Sequence, residues 1–487
     1  VYLGLDLGTT NIKALLVTEH GATQAEGSHA VGLQHTQDGG VEQQMEEIWA
    51  ATIAALRSTG TPADRAAVRA IGVSSQGGAL QICDADGSCI GPVISWMDPR
   101  GRPYDEAFQK ARGEAWLRNH IGHGESGIAI GQLLRLGETA PSRIAPPNRI
   151  GFVGDTTVRR LCGRAAHDGS SLSIACLYNP RTQQADSDVL DAVGVTAEQL
   201  PELRSPREPA GKLAAAVAKE TNLPAGVPVG PAVHDQYAAA LGCGALAPGD
   251  VLFGAGTAWV LVAVADSLMT PIEPSAWVCN HLVPGRWGQL LSLRVGGSAV
   301  QWALTLVGRP DAGPDEIDAM IESVPPGSDG VTVWPFFDAT GGARRPNAGR
   351  VCHLRLGHGP AHLIRATVEG LCYELARQLG WLDAAGCPAR RLIMCGGATA
   401  SRCTPQLVAD ITGRSVVCPE QQEISAFGAA ILARGMAAPD ASLESLYHEM
   451  AGPVREHTPG PEAPAYATRV TAYAAAVDAD LDAGENE

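Results

Sequence analysis

No apolar run approaches the roughly eighteen residues that a membrane-spanning helix needs, so no membrane partner is expected. A basic excess is missing too. Thirty-six Lys and Arg stand against 52 Asp and Glu, a formal net charge of −16. That balance argues against a nucleic-acid surface, and it means that an anionic substrate must be held by a local device against the global field. The twelve cysteines are scattered, with no CxxC pair and no Cys/His cluster at zinc spacing. Cys83 and Cys89 flank a polar turn, Asp84-Ala85-Asp86-Gly87, and are read as two free thiols rather than a disulfide. The apolar opening is broken by Asp6 and Lys13 and carries no basic leader or small-residue cleavage site, so no signal peptide is expected. A disordered composition is absent as well, with 45% hydrophobic and 18% charged residues. These absences leave a cytoplasmic, reduced, globular chain. Its 487 residues are too many for one core and fit two domains of similar size.

What is present repeats. Val1 to Leu7 alternates into a short strand that ends in the small-residue turn Gly8-Thr9-Thr10, and a second strand follows from Asn11 to Val17. A third strand is expected after Gly21, then a helix over 45–57 with Ile48, Trp49, Ile53 and Leu56 on one face. A buried strand over 70–74 and a hairpin over 79–96 complete the unit. Asp250 to Val262 is again strand, glycine-threonine turn (Gly254-Ala255-Gly256-Thr257), strand. A helix over 367–382 leads to a strand over 392–395, then Gly396-Gly397-Ala398, then a helical segment to about residue 412. Two such units predict an α/β protein of two domains, 1–245 and 246–487, with a cleft between them and a boundary near 241–248. Segments 141–147, 325–330 and 452–464, rich in Pro and Gly, read as surface loops.

Several residues could carry chemistry. Backbone N–H groups at Gly8-Thr9-Thr10 can approach an oxyanion closely, and the threonine hydroxyls add donors. Asp6 stands where a carboxylate could hold a hydrated Mg²⁺ beside phosphate, and Lys13 could face the same anion. Each turn alone is equally a plain bend, and Gly396-Gly397-Ala398 alone is tight helix–strand packing. Asp235 follows an apolar strand (227–233) and precedes an Ala-rich helix. It could be an N-cap, but strand ends beside a cleft are where α/β folds place ligands. There an Asp can take the proton of an attacking hydroxyl. His234 is the alternative base, but with no carboxylate partner evident it is read first as a satisfied core histidine.

In these residues and their order the chain resembles the FGGY family of carbohydrate kinases, from Tyr2 to about Ala438, with most likeness to its xylulokinase branch. Asp6-Leu7-Gly8-Thr9-Thr10 resembles the family's first phosphate loop, which Asn11 continues and Lys13 follows. Trp96-Met97-Asp98-Pro99-Arg100 resembles its W-x-D-x-R sugar segment. Gly256-Thr257 resembles the second phosphate loop. Gly297 and Gln301, in Gly297-Ser298-Ala299-Val300-Gln301-Trp302, resemble residues that approach the nucleotide. Gly397, Ala398 and Ser401 resemble the adenosine loop, and Phe427-Gly428-Ala429-Ala430 the closing helix. The resemblance implies two actin-like (ribonuclease H-like) domains and an ATP-dependent kinase with Asp235 as base. It places Mg²⁺ near Asp6 and Asp235, and the sugar on Gln76, Gly77, Gly78, Trp96, Asp98, Asp235 and Gln236. It is compatible with a homodimer. One departure stands out. Xylulokinases carry Gln-Met-His, and glycerol kinases Gln-Arg-Glu, where this chain has Gln76-Gly77-Gly78. Two side chains that would read hydroxyls are absent, which predicts extra volume and weaker discrimination. The expected acceptor is a ketopentose such as xylulose or a related ketose. The rivals are a glycerol or other polyol kinase, an actin- or Hsp70-like ATPase, and a catalytically silent sugar-binding regulator.

Overall fold

Alternating leucines make the opening residues a strand. The computed structural model of the chain, which describes residues 1–338 and 344–484, places β1 at Tyr2–Leu7, almost wholly buried. Strands β2 (Asn11–Val17) and β3 (Thr23–Ala30) fold back beside it as antiparallel neighbours. Helix α1 (Met45–Ser58) buries Ile48, Ala51 and Leu56, and β4 (Ile71–Ser75) then pairs in parallel with β1. Four further elements follow: β5 (Ala166–His167), α2 (Gly169–Ile174), β6 (Glu202–Leu203) and β7 (Pro228–His234). They complete an eight-stranded sheet in the order β6-β5-β7-β4-β1-β2-β3, with Gly211–Lys212 pairing against β7. Helix α3 (Asp235–Cys243) starts where β7 ends.

The second half repeats the plan. β8 (Asp250–Ala255) and β9 (Trp259–Ala265) form a hairpin, extended by β10 (Trp277–Asn280) and β11 (Trp287–Ser292). Helices α4 (Gly297–Leu306) and α5 (Pro360–Ala384) lead to β12 (Arg391–Cys395), parallel to β8, and then to β13 (Ser415–Pro419), parallel to β12. After α6 (Ile424–Ala437) come β14 (Val454–His457) and α7 (Ala463–Gly484). The seven-stranded order is β10-β11-β9-β8-β12-β13-β14. In both sheets an antiparallel hairpin precedes a strand that returns parallel to the first. This is the two-domain α/β architecture that the repeated pattern predicted, of the actin-like kind that the resemblance implies.

Of three expectations, two change in detail and the third holds. The helix expected over 367–382 begins at Pro360, because Pro is accepted in a first helical turn. The stretch 452–464 is not all loop, since β14 pairs with β13. Cys83 and Cys89 are free thiols with sulfurs 4.0 Å apart, facing each other across the short hairpin that they flank.

Helices α3 and α6 join the halves. A Cβ on Gly428 of α6 would lie 1.9 Å from the carbonyl oxygen of Ala238 in α3, and one on Gly242 of α3 would lie 2.2 Å from that of Ile424. On the first sheet, a Cβ on Gly4 or Gly72 would strike the α6 backbone at Ala426 or Ala429, 1.7 and 1.9 Å away. Glycine at these positions lets backbone touch backbone. Around the crossing, one hydrophobic cluster runs from Val233 and Tyr237 through Leu252 and Val262 to Phe427 and Ile431, so both halves contribute to it.

Candidate active site

The first turn is set by the register of β1. Asp6 sits across from Lys13 on β2 and from Ser74 on β4, and the Ser74 hydroxyl donates to its Oδ1 at 2.8 Å. The Gly8 N–H closes the turn on the Asn11 carbonyl at 3.1 Å, leaving Thr10 and Asn11 exposed. On the neighbouring parallel strand, β7 delivers Asp235 to the same end of the sheet, with Ser75 in register with His234. Burial pushes the Asp235 carboxyl up to about 6. Burial, followed by the charge of Asp235, pushes Asp6 up to about 7. Burial raises both carboxyls and the charge of Asp235 raises Asp6 further, so the pair fits a divalent cation, which would offset the cost of ionising them and keep most of its water.

His234 is not the isolated core residue expected from sequence. Its Nε2 lies 3.2 Å from Asp235 Oδ1, and burial drops its pKa to about 3, so the ring is neutral. A neutral ring facing a carboxylate carries its proton on Nε2, which leaves the buried Nδ1 without a partner.

The glycine pair does not leave extra volume, because other side chains fill it. A Cβ on Gly77 would come 2.6 Å from both His234 Cδ2 and Ile174 Cγ2, and a Cβ on Gly78 would come 2.2 Å from Ile128 Cγ2. The missing side chains are therefore replaced by an imidazole from β7 and by isoleucines from the helical region of the first half. Gln76 is buried and works within the wall: its Oε1 accepts from Thr9 Oγ1 at 3.1 Å, and its Nε2 donates to Gln43 Oε1 at 3.1 Å. Gln43 in turn donates to the Thr9 carbonyl at 2.9 Å, and the Trp96 indole donates to Thr9 Oγ1 at 3.1 Å. The first turn and the Trp96 segment are thus held as one unit, with Trp96 48% exposed.

Asp98 is a correction. Its side chain has no exposed surface. Its carboxylate accepts from the N–H groups of Val41 and Arg100, from the Arg100 guanidinium (2.6 Å at the shortest) and from Gln132. No lone pair is left for a sugar, so Asp98 braces the segment that presents Trp96. Lys13 is also committed, in an ion pair of 2.6 Å with Glu423, the residue before α6.

The second-half residues gather on their own sheet end. The Gly297 N–H donates to the Gly256 carbonyl at 2.9 Å, and the Ser298 N–H to the Thr257 carbonyl at 3.1 Å. Gly396, at φ +94°, lies so close to Ala255 that a Cβ would be 3.0 Å from its carbonyl, while Gly397 faces open space. Gln236 reaches across from α3, its Oε1 3.7 Å from where a Gly254 Cβ would stand. Two residues depart from expectation. Ser401 is buried, bonded to Asp318 Oδ1 at 2.5 Å and accepting from the Thr404 N–H, so it caps a helix. The Gln301 amide donates to the Pro310 carbonyl at 2.7 Å. Ala398 packs beside Gly397 against the second core. The residues that sequence reasoning did not place are Ser74, Ile128, Ile174, Gln43 and Glu423.

Comparison with known proteins matches both halves of the chain. Models of the N-terminal and C-terminal domains of the FGGY family of carbohydrate kinases match residues 1–242 and 255–437. The chain is 27% identical over 467 residues to a xylulose kinase of Escherichia coli K12, covering 92% of this chain and 93% of that one. It is 29% identical to a glycerol kinase of Deinococcus radiodurans, over 88% of each. A crystal structure of a xyloylose kinase from Brucella ovis superposes with a TM-score of 0.88 at 26% identity, over 98% of this chain and 99% of that one.

Proposed function

The chain belongs to the FGGY family of carbohydrate kinases, and from that premise we propose that it transfers the γ-phosphoryl group of ATP to a hydroxyl of a small ketose, such as a ketopentose, with Asp235 as general base. The enzyme is a phosphotransferase with an alcohol acceptor. The observation that carries the finer reading is Asp235 itself: a carboxylate raised to about 6, still 28% exposed, against a neutral His234. A base of that strength is mostly ionised at pH 7 and yet accepts a proton readily. As the sugar oxygen bonds to the γ-phosphorus, the bond to the departing ADP oxygen breaks and the hydroxyl proton passes to Asp235. His234 Nε2 stands 3.2 Å from Oδ1, and Oδ2 would take the proton.

The exposed face of Trp96 offers a platform for the apolar face of the sugar, and Gln236 offers an amide beside the base. The phosphates would lie between Gly8-Thr9-Thr10 and Gly256-Thr257, and the adenosine over the open backbone at Gly397. Asp6 and Asp235 would hold Mg²⁺ through its water, and the ion would supply charge neutralisation for the phosphates. A polyol such as glycerol is the second reading. The closed space at Gly77 and Gly78 favours a smaller acceptor, and a glycerol kinase is among the relatives.

The test is a phosphorylation screen over ketopentoses, ketohexoses, tetritols, pentitols and glycerol, following ADP release and the phosphorylated product. A ketose as best acceptor supports the reading, and glycerol as best acceptor selects the second. ADP release with no phosphorylated acceptor would leave only an ATPase.

A further inference from the structure

None of the residues named above for sugar, base and nucleotide lines a cavity of about 430 Å³. One wall comes from the first half: Asp168 to Ser170 at the start of α2, and Arg204 and Arg207 after β6. The other comes from the turn between β10 and β11, including His281 and Arg286. In register, Trp287 pairs with Ala265, at the end of β9 away from the Thr257 turn. Six residues of strand, about 20 Å, separate the two sheet ends.

The chemistry of the lining is lopsided for a chain of net charge −16. Among the described residues Arg286 has no carboxylate within ion-pair distance, and the one hydrogen bond of its guanidinium runs to the Gly285 carbonyl at 3.4 Å. Arg207 donates only to backbone carbonyls, those of Ala441 and Pro439. Arg204 alone is paired, with Glu202 and Glu208. The one carboxylate of the lining, Asp168, accepts from Ser170 Oγ and the Ser171 N–H. Three buried nitrogens around this cavity lack any acceptor among the described residues: Arg204 Nε, Arg286 Nε and His281 Nε2. His281 is 6% exposed, and its Nδ1 accepts from the Val283 N–H, so its proton sits on the unpaired Nε2. Buried donors are almost always paired. Three orphans of one polarity around one cavity, with two arginines free of acidic partners, describe a missing multivalent acceptor. Guanidinium forks match the oxygens of a phosphate group.

We propose that this cavity is an effector site for a phosphorylated small molecule, and that its occupancy is felt at the sugar site through α2. Ser170 Oγ accepts from the His234 N–H at 3.1 Å, and Ile174, at the other end of the same helix, packs against Gly77. Tyr237 adds a second link, with its hydroxyl on the Gly288 carbonyl at 3.2 Å and its ring 5.9 Å from that of His281.

The experiment is calorimetric titration of the full chain, with a non-hydrolysable ATP analogue present throughout. The probes are inorganic phosphate and a panel of triose, pentose and hexose monophosphates, run on the wild type, Arg286→Gln and His281→Phe. We expect at least one phosphate monoester to bind with a Kd below about 1 mM. Arg286→Gln should weaken it at least about tenfold, because a charge-assisted bond is lost. A melting temperature within about 2 °C of wild type shows that Arg286→Gln is folded, and His281→Phe gives an independent loss if it is not. The same ester should change the KM for the sugar in the wild type and leave it unchanged in Arg286→Gln. Binding by inorganic phosphate as tight as by any ester would make free phosphate the effector. Affinity that survives both substitutions would place the ester in the catalytic cleft and overturn the site. The absence of binding by every probe would overturn it equally.

Discussion

Replacing Asp6 with Asn should make the protein more stable at pH 8 while abolishing its activity. The Asn keeps the acceptor for the Ser74 hydroxyl at 2.8 Å and removes the charge that burial and Asp235 oppose. The folded carboxyl titrates at about 7 against an ordinary 3.8, so between those values the folded protein holds a proton that the unfolded chain releases. Stability present below pH 4 is therefore lost as the pH rises to 7. The full displacement corresponds to roughly 4 kcal/mol above pH 7, and solvent at the cleft reduces that to about 2 kcal/mol. The Asn variant lacks this decline. In EDTA, where no cation offsets the repulsion, the variant should melt about 2–6 °C above wild type at pH 8, a gap that closes by pH 4. Added Mg²⁺ should narrow the gap at pH 8 by stabilising wild type alone. Parallel pH profiles for the two proteins in EDTA would show that burial and Asp235 do not raise the Asp6 carboxyl, and the metal assignment would fall with that argument.

Asp235→Asn should lower turnover by roughly 10²–10⁴-fold with nucleotide affinity nearly unchanged; a variant retaining most of its rate would move the base elsewhere. In the wild type, kcat/KM should fall about tenfold per pH unit below about 6, since only the ionised carboxylate accepts the proton; a flat profile down to pH 5 would contradict this. Gly77→Ala should cost about 1–3 kcal/mol by crowding His234 and Ile174, and should reduce kcat/KM for the sugar more than nucleotide affinity, measured by steady-state kinetics and calorimetry. Because the proposed nucleotide site draws residues from both halves, the sugar should raise the affinity for a non-hydrolysable ATP analogue by about 1–3 kcal/mol; equal affinities with and without sugar would mean a preformed site.

How much of this was legible depended on whether the signal was local. The turn at Asp6 to Thr10, the repeated strand–turn–strand at Asp250 to Val262 and the position of Asp235 after an apolar strand all lie within a dozen residues, and the structure keeps them. Asp98 misled because a W-x-D-x-R spacing fixes where the carboxylate is in the chain but not which way it faces; in the fold it turns inward to Arg100 and Val41. Ser401 failed similarly, as a helix cap on Asp318. The filling of Gly77 was invisible because it needs β4, β7 and α2 brought side by side, and nothing in the spacing of Gly77, Ile174 and His234 announces that they meet. Glu423 gave no signal, since its partner Lys13 lies at the other end of the chain.

The backbone contact between α3 and α6 has a mechanical consequence. With Gly242 and Gly428 meeting without side chains, there is nothing compressible at the crossing, and any swing of one sheet against the other must turn about it as about a bearing. Displacement in such a swing grows with distance from the bearing. Asp235 lies seven residues before Gly242 on the same short helix, about 10 Å along its axis, so a rotation of 10° would shift it by only about 2 Å. The outer strands and the Thr257 turn stand on longer radii. A closing enzyme of this build would carry the nucleotide inward to a base that hardly moves, which keeps the aim of Asp235 on the sugar the same in the open and the closed positions.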